Sequence, residues 1–223
     1  MQVQPTPNNV LPFRPLANEP SPAAPAVQPS TSLHLQFYPS GSEIYGQGET
    51  AGPVYLVEFG AVRVYRLLPD GRRQITAFHL PGESFGFESG STHHFFAEAI
   101  IPTGLRAYRK SAGSDMAGEL LRLALCSLTR AQEHLLVLGR QQAIERMAVF
   151  LADMAERQGG ANQVDLPMPR ADIGDYLGLT IETVSRVLTK LRAKGIIRLI
   201  SMRRIEIRKP AALIGVGECQ FAA

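Results

Sequence analysis

Glycine recurs about every ten residues between Gly41 and Gly90, and the runs between these glycines are short and β-like. VYLVEFG (54–60), AVRVYRLL (61–68) and RQITAFHL (73–80) carry period-two alternation, with Val62 and Val64 opposed to Arg63 and Tyr65. Pro69-Asp70-Gly71, between two of these runs, is a hairpin signal. Many short strands at even spacing, from about Leu33 to Lys110, imply a closed or double-sheet β-roll, which removes exposed strand edges.

The texture changes after the Ser111–Gly113 break. Residues from about Ser114 to Gln158 turn helical, and Leu121, Leu125, Leu128 and Leu135 follow a four-three spacing that Gln132 interrupts. Two readings of that narrow seam stay open: pairing with the same helix of a second chain, or packing on the chain's own β-roll. Gly159-Gly160 ends the helical region. Beyond it come helix, turn and helix, then RLISMRRIEIRKP (198–210), where Leu199, Ile205 and Ile207 alternate with basic residues as in a hairpin wing. At the other end, eight of the sixteen prolines fall in the first thirty residues, the composition of a disordered arm. The division expected is an arm (1–31), a β-roll (32–112), a helical connection with a hinge (113–158), a winged helix-turn-helix (159–210) and a tail without readable role (211–223).

Composition narrows the chemistry. A 45% apolar content over 223 residues supports two modest cores. Two cysteines, Cys126 and Cys219, are too few for a disulfide framework or a four-cysteine metal site. No basic-then-apolar leader and no apolar run near ~18 residues is present, so neither export nor a membrane span is expected, and the cytoplasm is. Residues 166–210 hold ten Lys/Arg against four acids, +6 in a chain whose net charge is +3. A compact basic module on a mildly acidic body points to a polyanion.

The stretch ADIGDYLGLTIETVSRVLTKLRAKG (171–195) says which one. Val184, Val187, Leu188 and Leu191 share one helical face, while Glu182, Ser185 and Arg186 form a ridge on the other. Thr180 stands at the N-cap position, and Glu182 in the first turn suits the helix dipole. Ile173 and Leu177 of the preceding helix point inward, and Gly178 makes the turn. A helix in the major groove presents its N-terminal residues to base edges. There a carboxylate accepts from cytosine N4, a guanidinium grips guanine O6 and N7, and a serine meets several edges. Arg170, Lys190, Lys194 and the wing arginines Arg203 and Arg204 are the expected phosphate contacts, with the Thr180 and Thr183 hydroxyls, setting affinity without reading sequence.

The string DIGDYLGLTIETVSRVLTKLRAKGII resembles the DNA-binding helix-turn-helix of the CRP/FNR regulators, in particular their FixK branch. LLPDGRRQITAFHLPGESFGFESG and HHFFAEAI resemble the same branch upstream, and QQAIERMAVFLADMAER resembles its hinge. The resemblance spans roughly Leu33 to Lys209. It implies an α+β protein: a jelly-roll sensor domain of the cyclic-nucleotide-binding kind, a long dimerisation helix bearing Leu121, Leu125, Leu128 and Leu135, and a C-terminal winged helix-turn-helix. The family's Glu-x-x-Ser-Arg readers stand here as Glu182, Ser185 and Arg186, with Ile181 as a further apolar base contact. The implied function is a homodimeric activator on two-fold symmetric TTGAT-type sites, working under low oxygen on nitrogen-fixation or microaerobic respiration genes. Activation implies contact with RNA polymerase, for which Arg72 and Arg73 are candidates beside the reading of both as a solvated turn.

The resemblance also sets expectations for the sensor domain. Cyclic-nucleotide binders of the family follow Gly-Glu with an Arg and a hydroxyl. Here Gly82-Glu83 survive, but Phe95 and Phe96 occupy the second half and are expected to be core residues. An apolar pair leaves a phosphate unneutralised, which is prohibitive when buried, so no cyclic nucleotide is expected. No cysteine precedes Cys126, so no iron–sulfur cluster can be assembled on the family's pattern; Cys126 is expected to be small and buried. His93-His94, with His34, His79 and His134, raise haem or metal binding, but adjacent histidines diverge on a strand and are expected in loops or at the surface. No cofactor, metal or catalytic residue is expected. A haem- or gas-sensing regulator is the alternative, and a cupin-like metalloenzyme fused to the DNA-binding module lacks the His-x-His spacing it would need.

Overall fold

The computed structural model describes residues 35–108, 114–160 and 162–218, except the side chains of 114–117 and 218. The proline-rich arm, His34 and Cys219 lie outside the described residues. Eight strands come first: β1 (Leu35–Tyr38), β2 (Glu43–Tyr45), β3 (Val54–Phe59), β4 (Val62–Leu67), β5 (Arg73–His79), β6 (Ser84–Phe85), β7 (Phe96–Ala99) and β8 (Thr103–Tyr108). They form two antiparallel four-stranded sheets, ordered β1-β8-β3-β6 and β2-β7-β4-β5. This is the β-roll, and the alternation read in the sequence is its cause: Val62 and Val64 are buried while Arg63 and Tyr65 face the other way. The Pro69-Asp70-Gly71 turn closes β4 onto β5, with Leu68 N–H donating to the Arg72 carbonyl.

The roll is filled with rings. Tyr55 stacks on Phe85 at 5.3 Å, and His93 lies flat on Tyr45 at 3.7 Å. Of the adjacent histidines only His94 is at the surface; His93 is 3% exposed, and its ring is part of the packing. His79 on β5 and His134 on α1 are buried within regular elements, so the expectation of loop or surface histidines fails for these two, whereas His93 stands in the loop between β6 and β7. The reason is that a neutral imidazole packs as a flat aromatic. Phe95 packs on the roll core and Phe96 stacks on Tyr65, both only half-buried.

Five helices and three strands follow: α1 (Ser114–Leu138), α2 (Ala143–Arg157), β9 (Gln163–Asp165), α3 (Arg170–Leu177), α4 (Ile181–Ala193), β10 (Ile197–Leu199), β11 (Arg204–Ile207) and α5 (Pro210–Glu218). The wing is a three-stranded sheet ordered β10-β11-β9, so the segment after Gly159-Gly160 contributes a strand to it beside the expected hairpin. The tail is corrected likewise. Its first residues form α5, which buries Leu213 and receives the Arg140 guanidinium on the Gly217 carbonyl. No helix among the described residues is long and apolar enough to cross a membrane.

One apolar core runs without a break from the roll into the C-terminal elements. It joins Ile75, Phe78 and Leu80 to Met147, Phe150 and Met154 of α2, and these to Ile173, Leu177, Val184 and Leu191. By contrast α1 is exposed along most of its length. Leu121 (61%), Leu125 (53%), Leu128 (54%) and Leu135 (67%) all face outward, which rules out their packing on the chain's own roll. Cys126, expected to be buried, is exposed on the same uncovered helix.

Burial in the roll depresses the His79 pKa to about 4, against a partial offset from Glu83. A depressed histidine adds stability above its unfolded value near 6.5, and that stability is lost as pH falls towards about 4. Urea unfolding between pH 7 and pH 4 should therefore lose on the order of 3 kcal/mol through this group, and His79→Gln should flatten that part of the profile.

Candidate nucleic-acid interface

The two helices of the reading module are set by their turn. Gly178 ends α3 in the left-handed region (φ 63°), where its N–H closes on the Gly174 carbonyl. Gly174 is required for a different reason: a Cβ there would sit 2.6 Å from the Leu179 carbonyl oxygen. Thr180 then caps α4, its hydroxyl accepting from Thr183 N–H at 3.3 Å. Val184, Val187, Leu188 and Leu191 are buried, which fixes the rotation of α4 and turns its other side out.

On that outer side stand Ile181 (46% exposed), Glu182 and Arg186, with Ser185 half-buried between them. The Glu182 carboxyl is held below its usual range, first by its own backbone amide and then by the Thr180 hydroxyl, with Arg186 adding to the effect. It is therefore an acceptor. Arg186 leans on the Thr183 hydroxyl at 3.4 Å, and its guanidinium remains exposed. Arg170, at the start of α3, donates to Ser185 Oγ at 3.2 Å, so it touches the ridge directly rather than standing apart from it. Lys190 and Lys194 are exposed further along α4, and Arg203 is exposed beside the wing strand β11. Arg204 differs from these: it is paired with Asp165 through two hydrogen bonds of 2.6 and 3.0 Å.

The structure also joins residues that sequence inspection left apart. Arg73, read as a candidate turn residue beside Arg72, is not in the turn's solvent: it donates to Asp172 at 2.5 Å and to Asp175 at 2.8 Å on α3. Arg72 remains exposed and pairs with Asp70. Arg63 of β4 reaches Asp172 at 2.6 Å and Glu98 of β7 at 2.5 Å. One turn on from Asp172, Tyr176 stacks on His134 of α1 at 3.8 Å, and the His134 ring bonds to the Tyr176 carbonyl. Burial lowers the His134 pKa, so the neutral ring is favoured. Apart from the local Arg72–Asp70 pair, none of these partners has a local signature, since each pair is separated by tens of residues.

Within the roll, Glu83 is spoken for. It accepts from the Arg157 guanidinium at 2.9 and 2.7 Å, from Leu80 N–H at 3.0 Å, and lies 3.0 Å from Arg130. Burial pushes its carboxyl up, but the two guanidiniums outweigh this and hold it below the usual range. Among the described residues no group of three His, Cys, Asp or Glu side chains gathers as a metal site would.

Comparison with known proteins decides the family. A cyclic nucleotide-binding domain matches residues 35–109, and a Crp-like helix-turn-helix domain matches residues 145–216. The nitrogen fixation regulation protein FixK of Rhizobium meliloti is 58% identical over 176 residues, covering 79% of this chain and 83% of that protein. The chain belongs to the CRP/FNR family of regulators. FixK of Azorhizobium caulinodans is 49% identical over 77% of this chain and 74% of its own. The solved structure of FixK2 from Bradyrhizobium japonicum superposes with a TM-score of 0.78 at 45% identity, covering 83% of this chain and 97% of that one. The regulator thus has the β-roll and helix-turn-helix of its family, and its similarity is to the FixK type.

The Thr180 cap gives a direct test of how α4 is held. Thr180→Ala should cost about 1 kcal/mol in urea unfolding, and Thr180→Ser should recover most of it.

Proposed function

We propose that the protein is a homodimeric, sequence-specific transcription activator, not an enzyme, that works in the cytoplasm. It reads TTGAT-type half-sites with Glu182, Ser185 and Arg186 and controls genes of nitrogen fixation or low-oxygen respiration. The observation that carries this reading is the ridge on α4: an ionised carboxylate, a hydroxyl and an exposed guanidinium beside the helix N-terminus, on a helix whose opposite face is wholly buried. Glu182 accepts from cytosine N4, Arg186 donates to guanine O6 and N7, and Ile181 meets a thymine methyl. Thr180, Thr183, Lys190, Lys194 and Arg203 contact phosphates. Arg170 and Arg204 add their charge there while holding Ser185 and Asp165.

Two further observations support the finer points. The uncovered leucines of α1 form an apolar seam that a second copy of the helix would bury, giving the two-fold symmetry that a palindromic site demands. The engagement of Glu83 by Arg157 and Arg130, with Phe95 and Phe96 where the family's phosphate-binding pair would stand, supports activity without cyclic nucleotide. An iron–sulfur cluster has too few thiols in a chain with two cysteines. The exposed Arg72 turn is the candidate contact with RNA polymerase.

Gel-shift titration on a TTGAT-N4-ATCAA duplex, with and without cyclic AMP and reductant, tests the reading; indifference to the half-site sequence would defeat it. Arg186→Ala should lose about 1–3 kcal/mol of discrimination at one base pair. Lys190→Ala should weaken all duplexes alike and, with one lysine lost from each protomer, lower the log–log salt slope by about 1.8. In sedimentation, Leu128→Glu should convert the dimer to monomer, and an unchanged dimer would remove α1 as its interface.

A further inference from the structure

The chain passes from α1 to α2 through Gly139–Gln142, a short non-helical break that includes a glycine. Such a joint does not by itself fix the angle between α1 and the reading module. Noncovalent contacts must: Arg157 of α2 and Arg130 of α1 both hold Glu83 of the roll, and a second polar group converges on α3. Asp172 is 2% exposed, and its two oxygens are taken by arginines from two different strands of one sheet: Oδ2 by Arg63 at 2.6 Å and Oδ1 by Arg73 at 2.5 Å. Arg73 spans to Asp175 as well, Gln74 donates to the Asp175 carbonyl at 2.7 Å, and Glu98 braces Arg63 from the neighbouring strand. The buried core continues under this clamp, but an apolar contact tolerates sliding whereas these bonds form in a single register. A buried ion pair repays its desolvation only when its geometry is right, which makes it a weak source of stability and a good device for orientation. From α3 the constraint passes on rigidly, because Gly174 lies against the Leu179 carbonyl and the turn permits little play.

We propose that Arg63 and Arg73 are positioning residues for DNA recognition: through Asp172 they hold α3, and with it α4, at one angle to the β-roll. The inference rests on the dimeric reading above. In a dimer joined through α1, that angle sets the distance between the two reading helices, which must match half-sites about one helical turn apart, roughly 34 Å. The roll then acts as a bracket that keeps the reading helices spaced for DNA with no effector bound.

The full chain, as wild type, Asp172→Asn and Arg73→Gln, is titrated on duplexes whose TTGAT and ATCAA half-sites are separated by three, four, five or six base pairs, and on a duplex with a single half-site. Circular dichroism melts accompany each protein. Both variants should keep single-half-site binding within about twofold of wild type, yet lose about tenfold or more on the four-base-pair spacer and flatten the preference among spacers. Wild-type affinity and spacing preference in the variants would overturn the proposal. An equal loss on every duplex, the single half-site included, would overturn it too, since that is the signature of a damaged fold rather than a released angle. Arg73→Gln leaves Asp172 paired with Arg63, so the comparison survives if Asp172→Asn folds poorly. A wild type that ignores half-site sequence defeats the functional reading itself, whatever the variants do.

Discussion

Tyr176 is where the regulator is joined to itself. Its ring lies 5.0 Å from Phe78 of β5, 5.7 Å from Phe150 of α2 and 3.8 Å from His134 of α1, stacked on the last within 1° of parallel. Aromatic pairs of this kind contribute about 0.5–1.5 kcal/mol beyond their buried area. What matters more is that three separate parts of the chain meet one side chain of the helix that supports α4. The ionic clamp on Asp172 acts on the same helix, one turn earlier.

The same economy governs the charges. The reading module is strongly basic, yet its acids do not weaken the ridge because most are consumed elsewhere. Asp172 and Asp175 face the roll, Asp165 holds Arg204, and Glu206 lies 3.0 Å from Arg198. Glu182 is the exception, left exposed where the helix dipole and the Thr180 cap favour its ionised form. On the proposed reading of this surface, a free carboxylate is costly for affinity to phosphates and serves discrimination.

In the β-roll, residues that resemble a ligand site also take part in the packing. Gly82-Glu83 keeps the shape of the family's motif, but Glu83 ties the roll to α1 and α2 through Arg130 and Arg157. Tyr45, Tyr55, Phe85 and His93 fill the space between the sheets with stacked rings. The roll has become a structural partner of the helices that follow it.

Much of this was legible along the chain. The alternation at Val62–Tyr65, the hairpin at Pro69–Gly71, the inward faces of α3 and α4, the Thr180 cap and the exposed ridge are all local, because strand and helix periods act over a few residues. So the sequence by itself determined the succession of roll, helix and winged helix-turn-helix, and which residues of α4 would face outward. Tertiary structure alone decided that His93 would be a packed ring, that Arg73 would leave its turn to hold α3, and that residues after Lys209 would form a helix against α2. It also left the α1 leucines uncovered by the chain's own roll. Each of these turns on which distant residues become neighbours, and burial and charge pairing belong to such neighbourhoods rather than to any short run of amino acids.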